Sequence, residues 1–161
     1  MNARRRLAVA AVLLVAPGIS ACGNGFSEQS DQIYNPSAGV DDRSGTVDVL
    51  NALIVSGTNG SGTVIASLVN NDQTKADTLR GVTGAGSDSG AKIKASGDTT
   101  IPAAGLLNLA TQAQIEITEQ RVVPGSLVEI RFTFARGQAI TVRAPVVSTD
   151  DPTYSGITVP G

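Results

Sequence analysis

The sequence predicts an all-β fold, a single domain built as an antiparallel β-sandwich. Three observations carry this prediction. Apolar residues alternate with polar ones over several short stretches, the period of a half-buried strand. Those stretches are punctuated by turn formers, with 18 glycines and 7 prolines in 161 residues. No segment sustains a capped helical period; "AAGLLNLATQAQ" is the one helical candidate, and it is the weaker reading of those residues. Aromatic residues are only 3% of the chain and tryptophan is absent, so Val, Ile, Leu and Ala must supply the core.

The alternation begins at Gly45 and defines a domain over residues 45–147. In "TVDVLNALIV" it assigns Val47, Val49, Leu53 and Val55 to one face and Leu50, Ala52 and Ile54 to the other. "TVIASLVN" sets Val64, Ala66 and Leu68 against Ile65, Ser67 and Val69, after the turn-rich "SGTNGSG". "NNDQTKAD" reads as a polar loop and "TLRGVTG" as a short strand. "GAGSDSGAKIKASG" reads as a Gly-Ser loop entering a short strand with exposed lysines. "GLLNLATQAQIEIT" supplies one or two more strands, with Ala113, Ile115 and Ile117 inward. The clearest strand is "LVEIRFTF", in which Val128, Ile130, Phe132 and Phe134 share a face. "VVPGS" ahead of it fits a tight turn centred on Pro124 and Gly125. "ARGQ" then returns the chain into "AITVRAPVV" as a hairpin, with Ile140, Val142, Ala144 and Val146 on one side. Residues 148–161 read as an extended tail.

Ahead of the domain, residues 1–21 have the three parts of an export signal: "NARRR", "LAVAAVLLVA" and "PGISA". Ten apolar residues span about 15 Å as a helix, half of a bilayer's hydrocarbon core. The signal ends in Ile19-Ser20-Ala21-Cys22, which resembles the lipobox of bacterial lipoproteins, with isoleucine in place of the usual leucine. The resemblance implies that Cys22 Sγ takes a diacylglycerol and becomes the new N-terminus. The thiolate is the nucleophile able to carry a thioether, and two acyl chains hold where one is marginal. Ordinary cleavage after Ala21 and an uncleaved signal anchor are the other readings. Residues 22–44 follow as the lipidated N-terminus and a polar tether, with Ile33 and Tyr34 as an alternative short edge strand. The expected location is the cell membrane, facing the extracytoplasmic side.

Charge excludes some partners. The whole chain carries −2; without the leader and its Arg4, Arg5 and Arg6, 9 basic side chains face 14 acidic ones, a net −5. That argues against nucleic acid, which needs clustered cations. Catalysis at neutral pH recruits histidine, activated cysteine, a metal or paired carboxylates. The chain has no histidine, and its one cysteine would, as the lipobox resemblance implies, be blocked by lipid. Ser87, Ser89, Lys92 and Lys94 are the one nearby nucleophile–base set, better read as loop and strand surface. No catalytic residue and no cofactor are expected. Asp72, Asp77, Asp41–Asp42 and Asp150–Asp151 could meet a hard cation, but their spacing is that of turn carboxylates and not of a calcium loop.

The order of features over residues 45–147 resembles the PCu(A)C copper-chaperone family, exported β-sandwich domains of cupredoxin-like (or Ig-like) arrangement. The matching pieces are "VDVLNALIV", "SLVNN", "ADTLRGVTG", "IPAAG" and "VPGSLVEIRFTFARGQAITVRAPV". In that family the strand after the small-residue turn carries a His-x-Met pair of copper ligands. Here it reads "AQIEI", so the resemblance puts Gln114 and Glu116 at those positions. Cu(I) is soft and is held by thioether, thiolate or imidazole. The only methionine is Met1, in the leader. No metal site is therefore expected. The sequence points to a membrane-anchored, non-catalytic binding or assembly module, with an unidentified envelope protein or component as partner. The alternative is a metal-delivery, copper-chaperone-like protein of the envelope.

Overall fold

A computed structural model describes residues 38–160 except residue 59. Ten strands form in chain order: β1 (Val40–Asp42), β2 (Val47–Thr58), β3 (Ser61–Asn70), β4 (Asp77–Gly84), β5 (Lys92–Gly97), β6 (Thr100–Ile101), β7 (Leu106–Asn108), β8 (Ala113–Thr118), β9 (Leu127–Phe134) and β10 (Ile140–Ser148). Among the described residues, two 3-10 turns, Gly86–Asp88 and Pro152–Tyr154, accompany them. The all-β domain read from the sequence is the fold, and "AAGLLNLATQAQ" becomes β7, a turn and the start of β8.

The strands join one curled sheet in the order β5-β8-β3-β2-β10-β9-β4-β6, with β1 beside β2 and β7 beside β3. The sheet folds over itself where strands change partners. The first part of β10 pairs antiparallel with β9, from Ile140↔Phe132 to Pro145↔Leu127. Its end, Val146–Ser148, runs parallel to Ile54–Ser56 of β2. This is one parallel pairing in an otherwise antiparallel sheet. On the opposite side the chain leaves β5, which pairs with β8, and after two intervening residues enters β6, which pairs with β4. Gly97, at φ +93°, makes that corner, a conformation closed to most side chains.

Between the folded halves lies the principal core. It includes Val47, Val49, Ala52 and Ile54 of β2, Val64, Ala66 and Leu68 of β3, Ile115 and Ile117 of β8, Val128, Ile130, Phe132 and Phe134 of β9, and Ile140, Val142, Ala144 and Val146 of β10. The β9–β10 hairpin and its inward faces are as the alternation dictates. The turn before it has Gly125 at φ +89° and a Ser126 N–H donating to the Val123 carbonyl at 2.9 Å, a type II geometry that suits Pro-Gly.

Strand β2 departs from its simple period. Leu50 lies opposite Ser67 and Leu53 opposite Ile65, so three steps on β2 match two on β3. This is a bulge, and Asn51 within it has φ +50°. Val47 and Val49 point into the principal core, but after the bulge Ala52 and Ile54 do so in place of Leu53 and Val55. The grouping of Val47 and Val49 with Leu53 and Val55 is thereby corrected: one inserted residue reverses every later side chain. Asparagine tolerates the left-handed region because its short polar side chain finds a local partner; here Asn51 Oδ1 accepts from the Gly39 N–H at 3.0 Å. The Asn51 N–H donates in turn to Asp41 Oδ1 at 2.7 Å.

The reversed residues build a second cluster on the outer face. Leu53, Val55 and Ile65 are buried there beneath Val147, Tyr154, Ile157 and Val159. The segment after β10 is therefore packed along the sheet, pinned by Thr63 Oγ1 donating to the Thr158 carbonyl at 2.7 Å and by the Thr149 N–H donating to the Ser56 carbonyl at 3.1 Å. Gly57 leaves the room it needs, since a Cβ there would come within 2.7 Å of Val159 Cγ2. At the other end β1 lies within the stretch assigned to the tether, so the described fold begins before residue 45. Ile33 and Tyr34 lie outside the described residues.

Two stability measurements test this packing. Phe132→Ala should cost about 3–5 kcal/mol in urea unfolding, as for a fully buried aromatic. At the bulge, Asn51→Val should be less stable than Asn51→Gly by about 1–2 kcal/mol, because a Cβ-branched residue resists positive φ. Equal stability of those two variants would remove the bulge.

Candidate functional site

On β8 the outward residues Gln114 and Glu116 stand two apart on one face, the spacing at which two side chains can meet. They meet each other: Gln114 Nε2 donates to Glu116 Oε1 at 3.2 Å. Register sets Thr63 of β3 and Lys94 of β5 opposite Glu116, and Ser96 opposite Gln114. The inward residues of the strand, Ala113, Ile115 and Ile117, belong to the principal core. Both half-buried polar residues are thus surface groups of a strand whose other face is apolar.

Beside Gln114 the outer face opens into a cleft of about 330 Å³. Its origin is topological. Strand β3 pairs with β8 through Thr63 and Val64, then with β7 from Ser67 onward. The connection between β7 and β8 has to swing out over this change of partner. That connection forms one wall, with Thr111 and Gln112; Ser96 of β5 and Gln114 form the second; Ile157 and Thr158 of the packed C-terminal segment form the third. None of the lining residues is charged.

The acidic residues singled out from the sequence are held in turns and loops. Asp77 is buried, and its Oδ1 accepts from the N–H groups of Thr78, Ala135 and Arg136 at 2.7–3.1 Å while Oδ2 accepts from that of Gly137 at 2.9 Å. It ties the β9–β10 connection to the start of β4. Asp72 caps its own turn through the Thr74 N–H at 2.9 Å and pairs with Arg136 at 2.9 Å. Asp41 holds Asn51 and Arg43, Asp42 accepts from Ser44, and Asp150 accepts from Ser148. Asp151 caps the Pro152–Tyr154 turn through the Thr153 N–H. Among the described residues, no three His, Cys, Asp or Glu groups come together as a metal site would need.

Ser87 lies in the Gly86–Asp88 turn, and its hydroxyl accepts from Arg121 Nη1 at 2.6 Å. Lys92 and Lys94 are exposed on β5, so the structure does not assemble the serine–lysine set. The sequence reading passed over Asp88 in that turn. Its carboxylate is 1% exposed; Oδ2 accepts from the Glu129 N–H at 2.8 Å, and Oδ1 lies 3.3 Å from Arg121 Nη1. The charge is compensated there, but Oδ1 has no hydrogen-bond alignment. Arg121 also donates to the Leu127 carbonyl at 3.1 Å, closing the turn against β9. The pair joins a buried carboxylate to a half-exposed guanidinium. No motif announces it; an aspartate among serines and glycines reads as loop. Cys22 lies outside the described residues.

No protein-family model matches the chain, and no curated protein matches it. Solved structures do share its fold. The copper-bound PCuAC domain from PmoF2 superposes with a TM-score of 0.55 at 17% identity, over 68% of this chain and 98% of that one. The apo PCuAC domain from PmoF1 gives 0.56 at 17% identity, over 68% and 99%. The apo PmoF2 domain gives 0.51 at 15%, over 70% and 95%. At these identities the likeness is one of fold. The chain has a PCuAC-like β domain.

The turn carboxylates set an acid limit on stability. The Thr74 N–H, the Arg136 guanidinium and the Thr74 hydroxyl hold Asp72 well below the ordinary carboxylate range. Asp98 and Asp151 are lowered by the backbone N–H groups of Thr100 and Thr153. A lowered folded-state pKa gives stability that is complete above the unfolded value and lost as pH falls through the folded one. The melting temperature should therefore decline as pH drops below about 4, where unfolded aspartates begin to bind protons. Asp72→Asn should flatten that decline; an unchanged slope would show that Asp72 is not linked to folding.

Proposed function

We propose that this is a lipoprotein of the bacterial cell envelope, held on the outer face of a membrane by acyl chains on Cys22. Its β domain acts as a non-catalytic binding or assembly module. The observation that carries the reading is a PCuAC-like fold whose residues 38–160 contain no histidine, cysteine or methionine. Where the resemblance puts soft ligands stand an amide and a carboxylate, Gln114 and Glu116, and these are hard donors unsuited to Cu(I). The scaffold remains while the chemistry that would hold copper is gone. The leader supports the location: a basic start, a short apolar run and Ile19-Ser20-Ala21-Cys22.

Metal delivery is the competing reading, favoured by the copper in the PmoF2 domain. A titration separates the two. The Cys22→Ser protein, which has no thiol, should bind Cu(I) no more tightly than the micromolar range; stoichiometric binding well below that would overturn the loss of the metal site. The same substitution should release the protein from the membrane fraction and remove the mass of the acyl chains. Retention with unchanged mass would refute the anchor.

A further inference from the structure

We propose that the cleft between β8 and the C-terminal segment binds a neutral, polyhydroxylated ligand, a saccharide unit of an uncharged glycan. The inference rests on reading the domain as a binding module and gives that module its ligand class.

The first observation is what the cleft lacks and what it offers. At about 330 Å³ it lies at the small end of ligand-binding cavities. No lining residue carries charge, so nothing in the walls would repay the desolvation of a phosphate, a carboxylate or a cation. The walls offer hydroxyls and amides from Ser96, Thr111, Gln112, Gln114 and Thr158, with the half-buried Ile157 as an apolar surface for ring C–H groups. Hydroxyls and amides donate and accept at once, as sugar hydroxyls do.

Their unused bonding capacity is the second observation. Several acidic and amide side chains of the described residues are spent on nearby backbone N–H groups: Asp72 on Thr74, Asp98 on Thr100, Asn108 on Ala110, Asp151 on Thr153. In the cleft the Ser96 and Thr111 hydroxyls take no partner among the described residues. Gln112 uses only its Oε1, toward the Asn108 N–H at 2.8 Å, and keeps both amide donors. Gln114 uses only Nε2, toward Glu116, and keeps its oxygen.

Strand β8 is paired with β5 as far as Ala113 and with β3 as far as Ile115. The polar groups that face the cleft there are side chains, and a compact polyol can meet several of them at once.

The test uses the full chain, labelled with nitrogen-15, in dodecylphosphocholine micelles that contain no sugar. Cellobiose and N,N′-diacetylchitobiose should shift the amide signals of Ser96, Thr111, Gln112 and Gln114, with a dissociation constant on the order of millimolar. Gln114→Ala should weaken binding about fivefold, the loss of one hydrogen bond. Thr111→Ala, at an exposed position of the cleft wall, gives an independent check should the first variant fold poorly. No shift at tens of millimolar disaccharide, or shifts confined to other parts of the chain, overturns the proposal. So does inorganic phosphate or triglycine moving the same signals equally. None of these results bears on membrane release of Cys22→Ser or on Cu(I) binding, so the cleft's ligand and the module itself fail separately.

Discussion

Strand β2 must satisfy two apolar faces with one run of residues, and a single left-handed residue allows it. Before Asn51 the strand feeds the space between the folded halves of the sheet; after it, the parity is reversed. Ala52 and Ile54 now fill the inner core, leaving Leu53 and Val55 beside Ile65 on a face that would otherwise meet water. An exposed aliphatic patch of that kind costs about 25 cal/mol for each Å² left uncovered. The chain beyond β10 covers it with Tyr154, Ile157 and Val159. The pairing with β1 spans the bulge, from Asp42↔Val49 to Val40↔Ala52, and from Ile54 onward β2 takes the parallel end of β10. Core and cover thus trace to one backbone conformation, held by Asp41 and the Gly39 N–H.

The cleft is a by-product of the same arrangement. Its outer wall is the covering segment, and Thr63, which lines the floor, is also the residue whose hydroxyl pins that segment at Thr158. Its other wall exists because β3 gives one partner to β7 and another to β8, which forces the intervening loop outward. Asp72 and Asp77 anchor the loops around Arg136 at the start of β4, and Asp88 is buried against Arg121 beside β9. What is left facing the cleft is uncharged and only partly bonded.

The strands that follow strict period two could be read directly. The hairpin of β9 and β10, the inward Ala113, Ile115 and Ile117, and the Pro124-Gly125 turn all emerge from alternation and turn chemistry, since each residue acts locally there. The faces of the second half of β2 could not, because one asparagine adopting positive φ leaves no periodic trace in a run where every neighbour is apolar. The covering segment was hidden for a linked reason. Tyr154, Ile157 and Val159 are sparse among polar residues, and the surface they bury against exists only once the bulge is known. Asp88 needed the fold as well, since its partner Arg121 is 33 residues further along and meets it only through β9. The cleft did leave a faint mark: "ATQAQ" concentrates hydrogen-bonding groups where few turn signals claim them.

The likeness to PCuAC domains is one of fold, and what β8 can hold depends on the side chains it carries. A scaffold can present two outward residues two apart whatever those residues are; whether they hold a soft ion depends on sulfur or imidazole. Here the two positions hold a donor and an acceptor that bond to each other, and the register sets Lys94 opposite Glu116. A cation arriving there would have to break the amide–carboxylate bond and sit near an ammonium group. A neutral ligand meets neither obstacle. It can use the free oxygen of Gln114 without disturbing Glu116, and it needs no charge from walls that have none. The face that the resemblance assigns to metal thus carries an amide and a carboxylate, Gln114 and Glu116, bonded to each other.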